Sequence, residues 1–211
     1  KKAAATVPDL IFTDLMMSEM DGREYCQKVK TDLNTSHIPV IMLTAKAGTE
    51  NKIAVLETGA DDYLTKPFEG EELLVRIKNL IAQRHRLWEV FAQRKTTVIP
   101  KKLVASSMDQ QFLERVLALL ENNFENPDFS VRDMQRELAM GNTQLHRKLK
   151  ALTNEAPGEL LRNFRLKKAA QLLIQKADTV TQIAYRVGFN NPSYFTKCFK
   201  HFYRVPPSSY S

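Results

Sequence analysis

Cysteine is almost absent from this chain of 211 residues. Cys26 and Cys198 lie far apart and neither forms a CxxC pair, which excludes zinc sites, a dithiol redox centre and a disulfide framework. Two reduced thiols suit a reducing compartment, so the expected location is the cytoplasm. Long apolar runs are missing too. The longest is residues 116–120, against the roughly 18 residues that a membrane-spanning helix needs. No signal peptide is visible, because Lys1 and Lys2 are followed only by a short stretch before Pro8. There is also no starting methionine, and the expectation is that the natural beginning lies elsewhere.

What is present is an ordinary globular composition, with 43% apolar and 26% charged residues, enough for a core. The net charge of +7 is unevenly spread. Residues 1–81 carry −3, residues 82–107 carry +5 and residues 108–127 carry −3. Residues 128–211 hold 14 lysines and arginines against 6 acidic residues, or +8, which directs a polyanion to the carboxyl-terminal half.

In the first third, residues 10–12 and 40–43 are short apolar runs, each introduced by a proline (Pro8, Pro39), as buried parallel strands are. A third strand is expected at residues 62–64. Helices are expected at residues 22–31 and 50–58, the second closed by Gly59. This alternation indicates a doubly wound parallel sheet, whose chemistry lies beyond the carboxyl ends of its strands. Asp14, Thr44 and Lys66 fall there, one after each strand. An aspartate can attack a phosphoryl group, and a hydroxyl and an ammonium opposite it can hold the incoming oxygens.

Thr13-Asp14-Leu15-Met16-Met17, Met20-Asp21-Gly22, Leu43-Thr44-Ala45 and the run from Gly59 through Asp61-Asp62-Tyr63-Leu64-Thr65-Lys66-Pro67 to Phe68 resemble response-regulator receiver domains. The resemblance covers residues 7–81. It implies that Asp14 accepts a phosphoryl group from a histidine kinase, in the same or a separate chain. It implies that Thr44 moves toward the phosphate, that Tyr63 is an aromatic switch, and that Lys66 pairs with the acidic site across a cis Lys66–Pro67 bond. Ser18 departs from the family's usual proline. Relative to the family's five strands, residues 1–81 hold only the third, fourth and fifth. The acidic pair that helps hold Mg²⁺ is absent, leaving Asp14 and the backbone carbonyl of Met16 as metal ligands. Mg²⁺ is therefore expected only for an intact receiver. The open edge of the first strand is an association hazard. Haloacid-dehalogenase-type phosphatases use a similar trio, but their general acid stands two residues after the nucleophile, where this chain has Met16.

Residues 69–94 contain one glycine, at their start, and no proline, so they read as one long helix. Leu73, Ile77, Leu80, Leu87 and Phe91 recur at steps of four and three, with Arg84 filling the series. The second half, with Trp88, either forms a seam with a second copy or covers the chain's own core. Residues 96–107 read as a linker.

The last part is duplicated. Val131, Met134, Leu138 and Met140 recur 49 residues on as Val180, Ile183, Val187 and Phe189. Leu145, Leu149, Leu152 and Pro157 recur 50 residues on as Phe195, Phe199, Phe202 and Pro207. Each copy reads as a helix, a turn carrying Gly141 or Gly188, and a second helix, with Ser130 and Thr179 as N-caps and Pro192 at a helix start. The second helices span residues 143–152 and 192–203, and residues 159–175 join the two copies. Facing outward are Asn142, Thr143, His146, Arg147 and Lys150 in one copy, and Asn191, Ser193, Thr196, Lys197 and Lys200 in the other.

Ala184-Tyr185-Arg186-Val187-Gly188-Phe189-Asn190-Asn191-Pro192, Arg147-Lys148-Leu149-Lys150 and Arg165-Leu166-Lys167-Lys168-Ala169-Ala170 resemble the AraC-type DNA-binding domain, over residues 108–211. Asn154 and Arg204 stand where the family has glycine. The family's pattern puts base contacts at Thr143, His146, Arg147, Ser193, Thr196 and Lys197, in two successive major grooves of double-stranded DNA.

The expected architecture is a partial flavodoxin-like α/β receiver (1–81), a helical connector and linker (82–107) and an all-α domain of two helix-turn-helix units (108–211). The expected function is a transcriptional regulator of a two-component phosphorelay, forming a homodimer and not itself catalytic. A receiver directly before such a domain resembles the end of hybrid two-component regulators, whose full chain carries a histidine kinase and can be anchored in the inner membrane. No membrane contact is expected of this segment. The alternative is that the receiver only dimerises, without phosphotransfer.

Overall fold

A computed structural model of the chain describes residues 8–17, 20–45, 57–92, 107–176 and 178–210. The chain forms two compact units. One comprises residues up to Trp88 with the start of the helix at Ser107, through Phe112; the other continues from Leu113.

The first unit is built on a parallel sheet of three strands, β1 (Ile11–Asp14), β2 (Val40–Thr44) and β3 (Asp62–Thr65), in the order β1-β2-β3. Helix α1 (Gly22–Thr31) follows β1, and its expected limits are met. Asp21 caps it, accepting from Arg23 N at 3.1 Å. The apolar residues of α1 and β2 meet in a core of Ile11, Cys26, Val29, Ile38, Val40 and Met42. Burial pushes the Cys26 thiol up, so it is an inert packing group. Lys30 and Asp61 are buried as an ion pair at 2.6 Å. Asp61 also accepts from Val40 N at 2.7 Å, and Lys30 donates to Ile38 O at 2.9 Å, so both charges are satisfied. Most of the helix expected at residues 50–58 lies outside the described residues; Gly59 after it has φ +83°.

The connector is one helix, α2 (Gly70–Ala92). Leu73, Ile77 and Leu80 are half-buried, whereas Leu74, Val75 and Ile81 are exposed. The side chains of Leu87 and Phe91, on which the expected seam rested, lie outside the described residues, as does most of the linker.

The second unit is all-helical: α3 (Ser107–Asn123, shared at its start with the first unit), α4 (Val131–Leu138), α5 (Asn142–Thr153), α6 (Pro157–Ile174), α7 (Val180–Arg186) and α8 (Pro192–Tyr203). Among the described residues no helix is long and apolar enough to cross a membrane. Ser130 and Thr179 are the N-caps of α4 and α7. Thr179 Oγ1 accepts from Gln182 N while Gln182 Oε1 accepts from Thr179 N at 3.0 Å, a reciprocal cap. The leucine stripe of α5 and the phenylalanine stripe of α8 face inward, with Leu145, Leu149, Phe195 and Phe199 fully buried.

The two turns differ from the sequence expectation in one respect. Gly188 takes the left-handed conformation at φ +82°, but its counterpart in the first copy is Ala139, at φ 53°. Gly141 is instead the N-cap of α5, with extended backbone. The 49-residue shift that relates α4 to α7 already pairs position 139 with 188; the extra residue enters after that point. Asn154 and Arg204, the two residues standing in place of family glycines, are left-handed as well, at φ 60° and 66°. They close α5 and α8, their N–H groups donating to Lys150 O and Lys200 O.

Candidate phosphoacceptor site and nucleic-acid interface

The register of the sheet gathers the first site. Asp14 lies opposite Leu43 and Thr44 lies opposite Thr65, so the three strands end nearly level. Leu15 N donates to Leu43 O at 2.8 Å and Lys66 N to Thr44 O at 2.7 Å, which carries the ladder one step past the strands. Asp14 and Lys66 form an ion pair across that end. The Lys66 ammonium holds the Asp14 carboxyl below the usual carboxylate range, with help from Met16 N, which donates to Oδ1 at 3.2 Å. The carboxylate is thus ionised and half-exposed, the state a nucleophile needs. Thr44 is buried. The Lys66–Pro67 bond is cis, as the receiver resemblance implies.

Tyr63 is half-buried on β3, opposite Met42, with the Arg76 guanidinium 5.7 Å from its ring centre. Arg76 is held by Asp62 at 2.7 Å and Glu72 at 2.6 Å. Sequence reasoning missed this bracket, although Asp62, Glu72 and Arg76 are a strand end and an i, i+4 pair. It placed Gly22 in a receiver motif but missed its contact: a Cβ there would stand 2.1 Å from the Asp14 carbonyl oxygen. Only glycine lets the start of α1 approach the nucleophile's backbone so closely.

Among the described residues no group of three or more His, Cys, Asp or Glu side chains could hold a metal ion. Asp14 supplies one carboxylate, with Lys66 on one oxygen and a backbone N–H on the other, which falls short of a Mg²⁺ site by itself.

The second site is carried by α5 and α8. Asn142, Thr143, His146, Arg147 and Lys150 are all exposed on α5. Asn142 Oδ1 accepts from Gln135 Nε2 at 3.0 Å and so braces α5 against α4. Lys150 Nζ donates to Asn154 O at 2.7 Å. On α8, Ser193, Lys197 and Lys200 are exposed, and Thr196 is half-buried with its hydroxyl on Pro192 O. Asn191 is the N-cap, accepting from Tyr194 N at 2.9 Å, which commits its side chain to the helix start. Tyr194, absent from the sequence-derived set, is 52% exposed at the same end. Lys148, in the middle of a basic run, is buried at 1% exposure. Its spacing of three from Leu145 and four from Leu152 was the available signal.

Arg165 fastens α6 to the segment between α3 and α4. Its Nε donates to Phe124 O at 3.0 Å, and its Nη2 to Asn126 O at 2.6 Å and Phe129 O at 3.4 Å.

A parallel sheet with an ionised aspartate and a lysine at its carboxyl end, followed by a duplicated helix-turn-helix, is the plan of a receiver joined to a DNA-binding output domain. Residues 1–78 match the response regulator receiver domain family, and residues 134–211 match a helix-turn-helix domain family. The chain is a fusion of a receiver segment with an AraC-type helix-turn-helix domain. It is 42% identical over 210 residues to a protein of Formosa agariphila described as histidine kinase P4, spanning all of this chain but 15% of that protein. It is 41% identical over 104 residues to the DNA-binding dual master transcriptional regulator RpaA of Synechocystis, covering 46% of this chain and 43% of that one. The C-terminal domain of AraT, a response regulator from Geobacillus stearothermophilus, aligns with 46% of this chain and 80% of its own length, at 28% identity and a TM-score of 0.44.

Proposed function

We propose that the chain is the output end of a two-component phosphorelay in the cytoplasm: a DNA-binding transcriptional regulator, active as a homodimer, that is switched at Asp14. The observation that carries this reading is the Asp14–Lys66 pair at the carboxyl end of the sheet, in one chain with two exposed, basic helices held by a common scaffold. A carboxylate oxygen of Asp14 forms the new O–P bond as the N–P bond of a kinase phosphohistidine breaks. Lys66 balances the charge that arrives. Thr44 and Tyr63 pass the change to the face of the sheet that leads into α2. The alignment of the whole chain within a histidine kinase supports a kinase domain in the same or a separate chain as donor. Asp14 and the backbone carbonyl of Met16 would hold the divalent cation such chemistry calls for, together with an acidic pair of an intact receiver.

In the second unit, α5 and α8 read adjacent major grooves. Arg147 meets a guanine edge with its two-pronged guanidinium, Thr143, His146, Ser193, Thr196 and Lys197 meet neighbouring bases, Lys150 and Lys200 hold the flanking backbone, and Asn142 and Asn191 set the starts of the two helices at the DNA.

The test compares two exposed positions one turn apart on α5. Arg147→Ala is expected to weaken binding to the preferred operator by about 1–3 kcal/mol and to relax the choice at one base pair. Lys150→Ala is expected to weaken all sequences alike and to lower the salt slope by about one. Titration of both variants against an operator series distinguishes them, and identical behaviour would overturn the assignment of α5 as a base reader.

A further inference from the structure

Helices α6 and α8 enclose a cleft of about 320 Å³ whose charges are not balanced. Arg162 of α6 and Lys197 and His201 of α8 line it, with Tyr194, above apolar surface from Leu166 and Phe202; no carboxylate is among its walls. The other cations of α6 are engaged. Arg165 holds three carbonyls, Lys168 is paired with Glu121, and Lys167 is buried with Glu155 as a neighbouring charge. Arg162 is the exception: among the described residues its side chain has neither an ion pair nor a hydrogen bond. Its charge reaches Glu155, but that carboxylate accepts from Asn163 Nδ2 at 2.7 Å, and burial raises its pKa above the ordinary range. The Lys197 and His201 side chains likewise bond to no described residue.

We propose that this cleft seats a backbone phosphate of duplex DNA, Arg162 balancing its charge while His201 and Tyr194 donate N–H and O–H to its oxygens. The proposal rests on the DNA-binding reading above and extends the interface from the two recognition helices to the helix that joins them. Lys197 belongs both to the cleft and to the exposed face of α8, so the cleft opens beside that face. A duplex engaged by α5 and α8 together must pass over α6, and the phosphates between the two contacted grooves are the anions it brings there. The polar walls are chiefly donors, which suits a phosphodiester: it offers only acceptor oxygens and carries a full charge. The apolar floor keeps water away and strengthens the contact.

The experiment measures binding of the 211-residue chain to a random-sequence duplex across a salt series. Arg162→Gln is expected to lower the slope of log K against log salt by about 0.9 and to weaken every sequence by the same factor, while Arg162→Lys keeps the wild-type slope. His201→Gln is expected to reduce affinity without changing operator preference. Circular dichroism of each variant checks that the helices are retained. Inorganic phosphate, titrated into the chain without DNA and followed by thermal melting, tests the other source of the same anion. An unchanged slope in Arg162→Gln overturns the proposal. So does stabilisation by inorganic phosphate that Arg162→Gln abolishes while the slope stays as in wild type, because the seat then serves a free anion. A wild-type chain that binds no duplex at low salt would instead defeat the DNA-binding reading itself.

Discussion

Gly188→Ala is expected to destabilise the second unit by about 3 kcal/mol or more, read as a lowered denaturation midpoint and as loss of DNA binding at growth temperature. Left-handed backbone alone costs an alanine about 1–2 kcal/mol. The first helix-turn-helix already tolerates that, because Ala139 occupies the equivalent turn at φ 53°. The additional cost at 188 is steric. A Cβ there would stand 2.3 Å from Phe124 O and 2.9 Å from Arg165 Nε. Those two atoms are the donor and acceptor of a 3.0 Å hydrogen bond, so the methyl group must force them apart. Loss of hydrogen bonds from a charged donor to these carbonyls adds about 1.5–3 kcal/mol. A loss of no more than 1 kcal/mol would show that the close approach to Arg165 is not what requires glycine.

In an intact receiver that carries the acidic pair, Asp14→Asn is expected to abolish phosphoryl uptake altogether. The amide has no ionised oxygen, so it is too poor a nucleophile to form the acyl phosphate, and it also ends the ion pair with Lys66. Incubation with a phosphorylated histidine kinase and Mg²⁺, followed by detection of hydroxylamine-sensitive phosphate, gives the readout. Thr44→Ala is expected to be milder, because it keeps the nucleophile and removes one hydroxyl. Equal phosphate incorporation in wild type and Asp14→Asn would exclude Asp14 as the acceptor. The Asp14–Lys66 pair also ties stability to pH: the folded carboxyl titrates below its ordinary range, so the contribution is complete above that range and is lost as pH falls through the lowered value.

Much of the fold was legible because periodicity and punctuation agreed. The limits of α1 and α8 were met to the residue, each marked by a cap or a proline as well as by apolar spacing. Asp14, Thr44 and Lys66 could be placed at strand ends because short apolar runs in a parallel sheet leave little choice of register. The illegible features depend on distance between remote segments. Nothing near Gly22 in sequence announces the Asp14 carbonyl, and nothing near Arg165 announces Phe124, 41 residues away. The neutralisation that separates Arg162 from Lys168 is also invisible in a basic stretch, where every lysine and arginine looks equally free.

Both α5 and α8 end on a residue that is not glycine in backbone geometry that glycine adopts without cost: Asn154 after α5 and Arg204 after α8. The domain therefore holds a reserve of stability that its sequence does not use. Asparagine relieves part of the cost at 154, since its short polar side chain tolerates the left-handed region. Arginine has no such relief at 204, and its Cβ crowds the following carbonyl oxygen at φ 66°. Arg204→Gly is accordingly expected to raise stability by up to about 1 kcal/mol, an increment that thermal melting resolves. The helix whose end is strained is the one that carries Ser193, Thr196 and Lys197. Its last turn is nonetheless held by packing, Tyr203 lying 4.6 Å from the Phe199 ring and 4.7 Å from that of Tyr210, so core contacts at one end and the Asn191 cap at the other keep α8 in register despite the strain.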